Sequence, residues 1–405
     1  MDSCCQSSVT ITTMPKMKLS PMMRRMLPLY IAVALQNIPF WYAIEKLFML
    51  GIGFNTATIG VMVAIMSIAM IVVETPSGIL ADRWSRKGVM ALGCVALLIS
   101  TIIGAVSMNE PVYVIAMVFW GVYAAFYSGT YDSVIYDTTM EEHGNSRRFE
   151  KYLGGFRAVE GGAAVVGALA GGLIASFVDI RDAYIFTAPL LALALIFILK
   201  FREPQLHKAE VAEPVFKHIR QTFAAVLKNR VLLPVIIAAV GFFVIQDIIF
   251  EFNQLWFIAV AAPIALYGVL SAVVFSSWTV GGLLASHIKS KAAIITLMSV
   301  TVAAIAVLII SRHYIPILAT QFVMAVCLIA ISVILAKKMH DQLPSRLRAG
   351  SLSVTSTLAR ILLIPGSLLL TGIANIYDIF TATWILLTAA AVSIVAFMSI
   401  SSVKK

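Results

Sequence analysis

Residues 78–88 read Gly78-Ile79-Leu80-Ala81-Asp82-Arg83-Trp84-Ser85-Arg86-Lys87-Gly88 and lie between two apolar segments. One acid and three bases share a loop too short to be a domain. A degraded copy returns later. Residues 282–291, Gly282-Leu283-Leu284-Ala285-Ser286-His287-Ile288-Lys289-Ser290-Lys291, align with it at a constant offset of 204, close to half of the 405 residues. Gly78 then pairs with Gly282, Ala81 with Ala285 and Lys87 with Lys291. A membrane chain whose halves repeat one another reads most simply as two related helical bundles, an arrangement typical of transporters.

Composition agrees. Hydrophobic residues make up 60% of the chain, charged residues 12%, and the mean hydropathy is +0.94. A soluble domain carries roughly 25% charged residues. The apolar residues fall into runs near the ~20 needed to cross a bilayer. These runs are 27–50, 57–80, 88–107, 111–136, 152–178, 183–200, 231–259, 264–288, 292–311, 314–336, 349–373 and 379–400. The expected fold is all-α and integral to the membrane, with twelve transmembrane helices in two pseudo-symmetric six-helix bundles.

The net charge of +10 does not point to a nucleic acid. If both termini are cytoplasmic, 25 of the 30 Lys and Arg residues fall in the tails, the central loop or the inner loops, and only Arg181 and Arg312 lie in outer loops. That is the positive-inside bias, so the basic character reports topology. The expected organisation is a cytoplasmic tail over 1–26, a first bundle over 27–200, a cytoplasmic linker over 201–230, a second bundle over 231–400 and a short cytoplasmic tail over 401–405. Within the linker, Val215, Phe216, Ile219, Phe223, Val226 and Leu227 recur at helical spacing with bases between them, predicting an amphipathic helix on the inner leaflet. The first run reads as an uncleaved anchor in a plasma or inner membrane. Cys4 and Cys5 lie on the reducing side and Cys94 and Cys327 inside runs, so no disulfide framework is expected.

No P-loop, H-E-x-x-H, paired C-x-x-C or G-x-S-x-G occurs, so the chain does not read as an enzyme and no cofactor or metal is expected. Any energy source would be an ion gradient, with protons the first choice.

In its Gly78-x-x-x-Asp82-Arg83-x-x-Arg86-Lys87 pattern the chain resembles the major facilitator superfamily, whose signature lies between helices 2 and 3; Ser85 stands where a second glycine is usual. Glu74-Thr75-Pro76-Ser77-Gly78, the stretch SGTYDSVIYD from Ser128 to Asp137, and KYLGGFRA opening helix 5 resemble a common branch of it. The likeness covers essentially the whole chain and speaks to fold more than to substrate. It implies that Gly78 lets two helices approach closely. Asp82 would face the N-terminal dipole of helix 11, and Arg86 or Lys87 would pair with Asp137 at the inner end of helix 4. With Arg83, these residues would hold the inner side shut; as plain topology determinants, the bases would need no such role.

In helix 5 a second pattern, that of the drug antiporters (G-x8-G-x3-G-P-x2-G-G), is matched by Gly154, Gly167, Gly171 and Gly172, with Ala163 and Ala168 replacing Gly and Pro. Tight helix packing would ask for the same small residues. Many of those antiporters also carry an arginine in helix 4, and none is present between Val112 and Ile135.

A charge at mid-bilayer costs at least ~2.5–3.5 kcal/mol, so each one wants a partner, a cavity or a task. Asp247, Glu251 and Gln254 form one polar stripe on helix 7 at i, i+4 and i+7. Two carboxylates one turn apart suit proton coupling or cation binding; salt-bridging to Arg360 or Arg157 is the alternative. Asn37, Trp41 and Glu45 share one face of helix 1, a plausible cavity wall. Lys46 reads as a snorkelling residue at the outer end. Asp132 of helix 4 is expected to meet Arg157 of helix 5, and Arg157 and Glu160 can satisfy each other at i, i+3.

Together these readings predict a monomeric secondary transporter that works in the lipid bilayer by alternating access on a small-molecule substrate. Proton-coupled export of an amphiphilic or cationic compound is the first expectation. Uptake of a nutrient or metabolite by symport or uniport, and lipid flipping, are the alternatives.

Overall fold

Polar caps start many of the helices. Ser20 caps Pro21–Gln36, Asn55 forms a capping box with Thr58 ahead of Thr56–Arg83, Ser85 caps Arg86–Val106, Asn109 caps Glu110–Tyr127 and Ser290 caps Lys291–Ile310. Each cap satisfies amide groups that the first helical turn leaves open, which matters most where lipid offers no alternative partner. The computed structural model describes residues 20–205 apart from 146, and 233–399 apart from 342–344. Within the helices, the side chains of 75, 79, 82, 83, 340, 341 and 345–354 are not described. The predicted amphipathic linker helix, residues 1–19 of the first predicted tail and all of the second lie outside the described residues, while residues 21–26, expected in the tail, already belong to the first helix.

Eleven described helices are long and apolar enough to cross a bilayer, and a twelfth crossing is completed by Pro21–Ala43 with Glu45–Gly51, bent by 47°. We number the crossings as spans 1 to 12. Span 1 is that bent pair. Spans 2 to 6 are Thr56–Arg83, Arg86–Val106, Glu110–His143, Phe149–Phe177 and Asp182–Lys200. Spans 7 to 12 are Leu233–Ala259, Tyr267–His287, Lys291–Ile310, Tyr314–Asp341, Ser345–Ile376 and Ile379–Ser399. No cis peptide and no strand occurs among the described residues. Chain alternation puts the start of span 1, the end of span 12 and the Gly78–Gly88 loop at one face, here called the terminal face.

Two spans differ from the uninterrupted runs in the sequence. Span 1 is not one helix over 27–50. It stops at Gln36, passes through a 3-10 turn at Phe40–Ala43 and restarts at Glu45. Pro39 lacks the amide that a continuing helix would use. Span 4 breaks at Ser128–Gly129, where Gly129 takes a left-handed φ of 73°, and then runs on to His143, well past 136. The Ser-Gly-Thr sequence supplies the break, since glycine alone adopts that conformation at little cost.

Spans 1 to 6 pack mainly on one another, as do spans 7 to 12. The two groups meet along spans 2 and 11, spans 5 and 8, and spans 1 and 7. Glycines make the closest approaches. A Cβ on Gly172 of span 5 would stand 2.5 Å from the Gly268 amide nitrogen of span 8, and one on Gly60 of span 2 would overlap the Thr371 side chain of span 11. On the first group's own side, Gly171 lies against the Phe40 carbonyl and Gly167 against Ile38 backbone. The glycines of span 5 thus seat the broken part of span 1 and the neighbouring group. The helix itself runs unbroken.

A cavity between the two groups and the ion cluster that closes it

A cavity of about 310 Å³ opens between the two groups. Its apolar wall is aromatic and sulfur-rich: Trp41, Trp120, Phe250 and Trp278 with Met66, Met70 and Met117. Glu45, Asp247, Glu251, Gln254 and Arg360 supply its polar atoms. The restart of the helix at Glu45 positions Trp41 and Glu45, and the i, i+4, i+7 stripe of span 7 delivers Asp247, Glu251 and Gln254 to one side. Trp41 is held rigidly, stacked on Tyr184 at 5.1 Å with planes 7° apart.

Lys46 is not a snorkelling residue. It is fully buried, and its Nζ donates to Glu45 Oε2 at 2.9 Å and to Glu251 Oε1 at 2.6 Å. The break in span 1 turns this lysine inward, where lipid headgroups are out of reach. Tyr113 donates to the other Glu45 oxygen at 3.2 Å and shares a 2.8 Å hydrogen bond with Tyr184. Gln254 completes the arrangement. Its Oε1 accepts from the Lys46 amide at 2.9 Å, and its Nε2 donates to the Tyr42 carbonyl at 2.8 Å. Both ends of one side chain on span 7 therefore grip span 1. This cluster, the Gly172–Gly268 approach and the Gly60–Thr371 approach all lie toward the face opposite the termini, and together they seal it.

Asn37, expected on the cavity wall, does not line it, and neither do Asp132, Arg157 and Glu160, the other sequence candidates for proton coupling or the cavity. They lie nearer the terminal face; Asp132 is about 16 Å of helix from the end of span 4 at 1.5 Å per residue. Arg157 makes a forked contact to Asp132 at 2.7 and 2.9 Å and donates to Glu160 at 2.8 Å. Tyr127 donates to Glu160 in turn. Asn37 donates to the Val33 carbonyl at 2.9 Å, tying off the broken end of its own helix.

At the terminal face Arg86 pairs with Asp137 and approaches the Ser133 carbonyl. Both partners belong to the first group, so this bond ties span 3 to span 4 and does not itself bridge the two groups. Gly78 has open space around it. The side chains of Asp82 and Arg83 lie outside the described residues. Lys87 Nζ donates to the Leu199 carbonyl at 3.0 Å.

Sequence reasoning missed Glu203. Its carboxylate accepts from Ser85 Oγ at 2.7 Å and from the amides of Arg86 and Lys87 at 2.6 and 3.3 Å, so it caps span 3 from the end of span 6. A carboxylate at a helix N-terminus is favoured by both the open amides and the dipole. Glu203→Ala is expected to cost about 1 kcal/mol and to lower the thermal unfolding midpoint of the detergent-purified protein by a few degrees. An unchanged midpoint would show that Ser85 suffices as a cap. Among the described residues no cluster of His, Cys, Asp or Glu is arranged to hold a metal, and Cys94 and Cys327 are free and buried.

About a dozen apolar crossings in two groups, sealed at one face over a central cavity, define a membrane transporter that works by alternating access. A family model described as Major Facilitator Superfamily matches residues 26–366, and the chain belongs to that superfamily. It is a transporter and not an enzyme. The puromycin resistance protein pur8 of Streptomyces alboniger is 31% identical over 119 residues, which is 29% of this chain and only 23% of that protein. Among solved structures, the nucleoside transporter NupG superposes with a TM-score of 0.75 at 15% identity, over 95% of this chain and all of that one. An inward-facing bacterial homologue of the human lysosomal transporter Spinster gives 0.69 at 14% identity, over 94% and 96% of the two chains. A POT family transporter in complex with 5-aminolevulinic acid gives 0.70 at 13%, over 93% and 96%. At these identities the likeness speaks to the fold.

Proposed function

We propose that the protein exports a small amphiphilic or cationic compound in exchange for protons. The observation that carries this reading is the cavity: an aromatic and methionine wall with the Asp247 carboxylate among its lining groups. Aromatic faces and a carboxylate attract an organic cation, and methionine side chains adapt to differently shaped ligands. An acid in a low-dielectric site that binds either a proton or a cationic ligand gives exchange of one for the other. The partial match to a resistance protein points the same way. The proposed orientation places the terminal face in the cytoplasm, because the tails and the loops of that face hold 25 of the 30 Lys and Arg residues. The sealed face is then the outer one, and the ion cluster opens and closes once per cycle. The proposed site residues at the terminal face are Gly78, Asp82, Arg83, Arg86, Lys87 and Asp137.

The test is efflux of a panel of cationic and neutral dyes from energised cells. Efflux is expected to stop on adding a protonophore and to fall at least tenfold in Asp247→Asn. Efflux that survives the protonophore would overturn proton coupling. Accumulation driven by an inward proton gradient would replace export by uptake.

A further inference from the structure

Two opposite charges in the cavity, Asp247 and Arg360, attract each other electrostatically but share no direct bond. Asp247 makes no hydrogen bond or ion pair among the described residues, and the Arg360 guanidinium makes only a contact to the Met70 sulfur. They stand on spans 7 and 11, within the same group of six, and both line the cavity. A rocking motion of one group against the other therefore does not by itself bring them together. The remaining lining carboxylates, Glu45 and Glu251, are already engaged by Lys46. Solvent can hydrate Asp247 and Arg360 while the cavity is wet. A solute that fills the cavity takes that water away, and a buried charge without a partner is costly.

The charge of the solute then decides which of the two groups is satisfied. A simple cation would pair with Asp247 and leave Arg360 desolvated beside a like charge. A simple anion would do the reverse. A solute that carries both charges satisfies both groups at once, and the surrounding Trp41, Trp120, Phe250 and Trp278 accept an aromatic body. We infer that the cavity selects aromatic zwitterions, with the ammonium of the solute at Asp247 and its carboxylate at Arg360. This rests on the reading of the cavity as the substrate site and narrows the class of compound it takes. Arg360 becomes the specificity-determining residue, since a site for cations alone has no use for it.

The test is calorimetric binding to the full-length protein in lipid nanodiscs, with two matched sets of probes. One set carries its charges near a single carbon: phenylalanine, phenethylamine and 3-phenylpropionate. The other carries them across the ring: 4-(aminomethyl)phenylacetate, 4-methylbenzylamine and 4-methylphenylacetate. In at least one set the zwitterion is expected to bind ten times or more tighter than both single-charge relatives. Arg360→Gln is expected to bring the zwitterion down to the level of the amine, and Asp247→Asn to that of the acid. Arg360→Lys keeps the charge and should keep part of the preference, which guards against a variant that merely fails to fold. Zwitterions that bind no better than their relatives in the wild type, or no binding of any probe, would overturn the inference. If dye efflux persists in that case, the exporter reading stands without it. A zwitterion preference in a protein that extrudes no dye would instead strike the exporter reading alone.

Discussion

Lys46→Met is expected to unlock the face opposite the termini. In the closed arrangement Lys46 is, among the described residues, the only cation bonded to Glu45 and Glu251, which come from the two different groups of spans. Removing it leaves two carboxylates facing each other with nothing between them. Breaking a buried ion pair from one side costs ~3–5 kcal/mol. Glu45 and Glu251 keep 13% and 22% of their side-chain surface exposed, so the lower end applies. A loss of ~3 kcal/mol moves the equilibrium between closed and open by about a hundredfold, because 1.4 kcal/mol is a factor of ten. The readout is a cysteine introduced at Met66, which lines the cavity and is 7% exposed. A membrane-impermeant maleimide applied from that face should label it about a hundred times faster in the Lys46→Met background. Adding Glu251→Gln should reverse much of the gain by removing the surplus charge. Labelling that stays slow would show that the glycine contacts alone hold the seal.

Gly172→Val is expected to stop the transport cycle while leaving the protein folded. Even the first carbon of the new side chain would fall 2.5 Å from the Gly268 nitrogen and 2.6 Å from its Cα. These are backbone atoms and cannot swing aside as a flexible side chain would. Overpacking a tight contact costs ~1–3 kcal/mol, with rigid backbone at the upper end. The strain exists only while spans 5 and 8 are in contact, so the protein relieves it by keeping that face open. Transport is expected to fall about a hundredfold, with the same Met66 cysteine labelled readily and the unfolding midpoint close to that of the wild type. Gly171→Val makes the informative contrast. Its neighbour is the Phe40 carbonyl within the same group, so the clash is present in every state and loss of folded protein is expected.

Much of this architecture was legible in the residues, for reasons that differ from place to place. The apolar runs announced the crossings because a bilayer admits few alternatives to a helix. The Asp132–Arg157 contact was readable because a short connection makes spans 4 and 5 neighbours. Lys46 was misread for a definite cause. The snorkelling rule assumes a continuous helix ending at the membrane surface, and the break at 37–44 places the lysine in the protein interior instead. Once that break is known, Glu45 and Glu251 can both reach the inward-turned Lys46. Asp132 and its partners lie past the break in span 4 at Gly129, on the terminal side of the cavity. Glu203 had no local signal at all, since its partners, Ser85 and the amides that follow it, lie more than a hundred residues earlier. The pairing of Asp82 with span 11 rests on side chains outside the described residues.

The glycine contacts of the seal and the apolar wall of the cavity are built from different stock. Besides the ion cluster, the seal consists of the Gly172 and Gly268 backbones against each other and the Gly60 backbone against the Thr371 side chain, and none of these glycines lines the cavity. Almost any replacement there adds atoms where none fit. The cavity wall holds Met66, Met70 and Met117, whose unbranched side chains take up changes of a methylene or two by rotating. Over evolutionary time the two parts are therefore free to change at different rates. The glycine contacts tolerate little change, while a change in the wall alters what fits. New cargo can be acquired one substitution at a time without the moving parts being invented again.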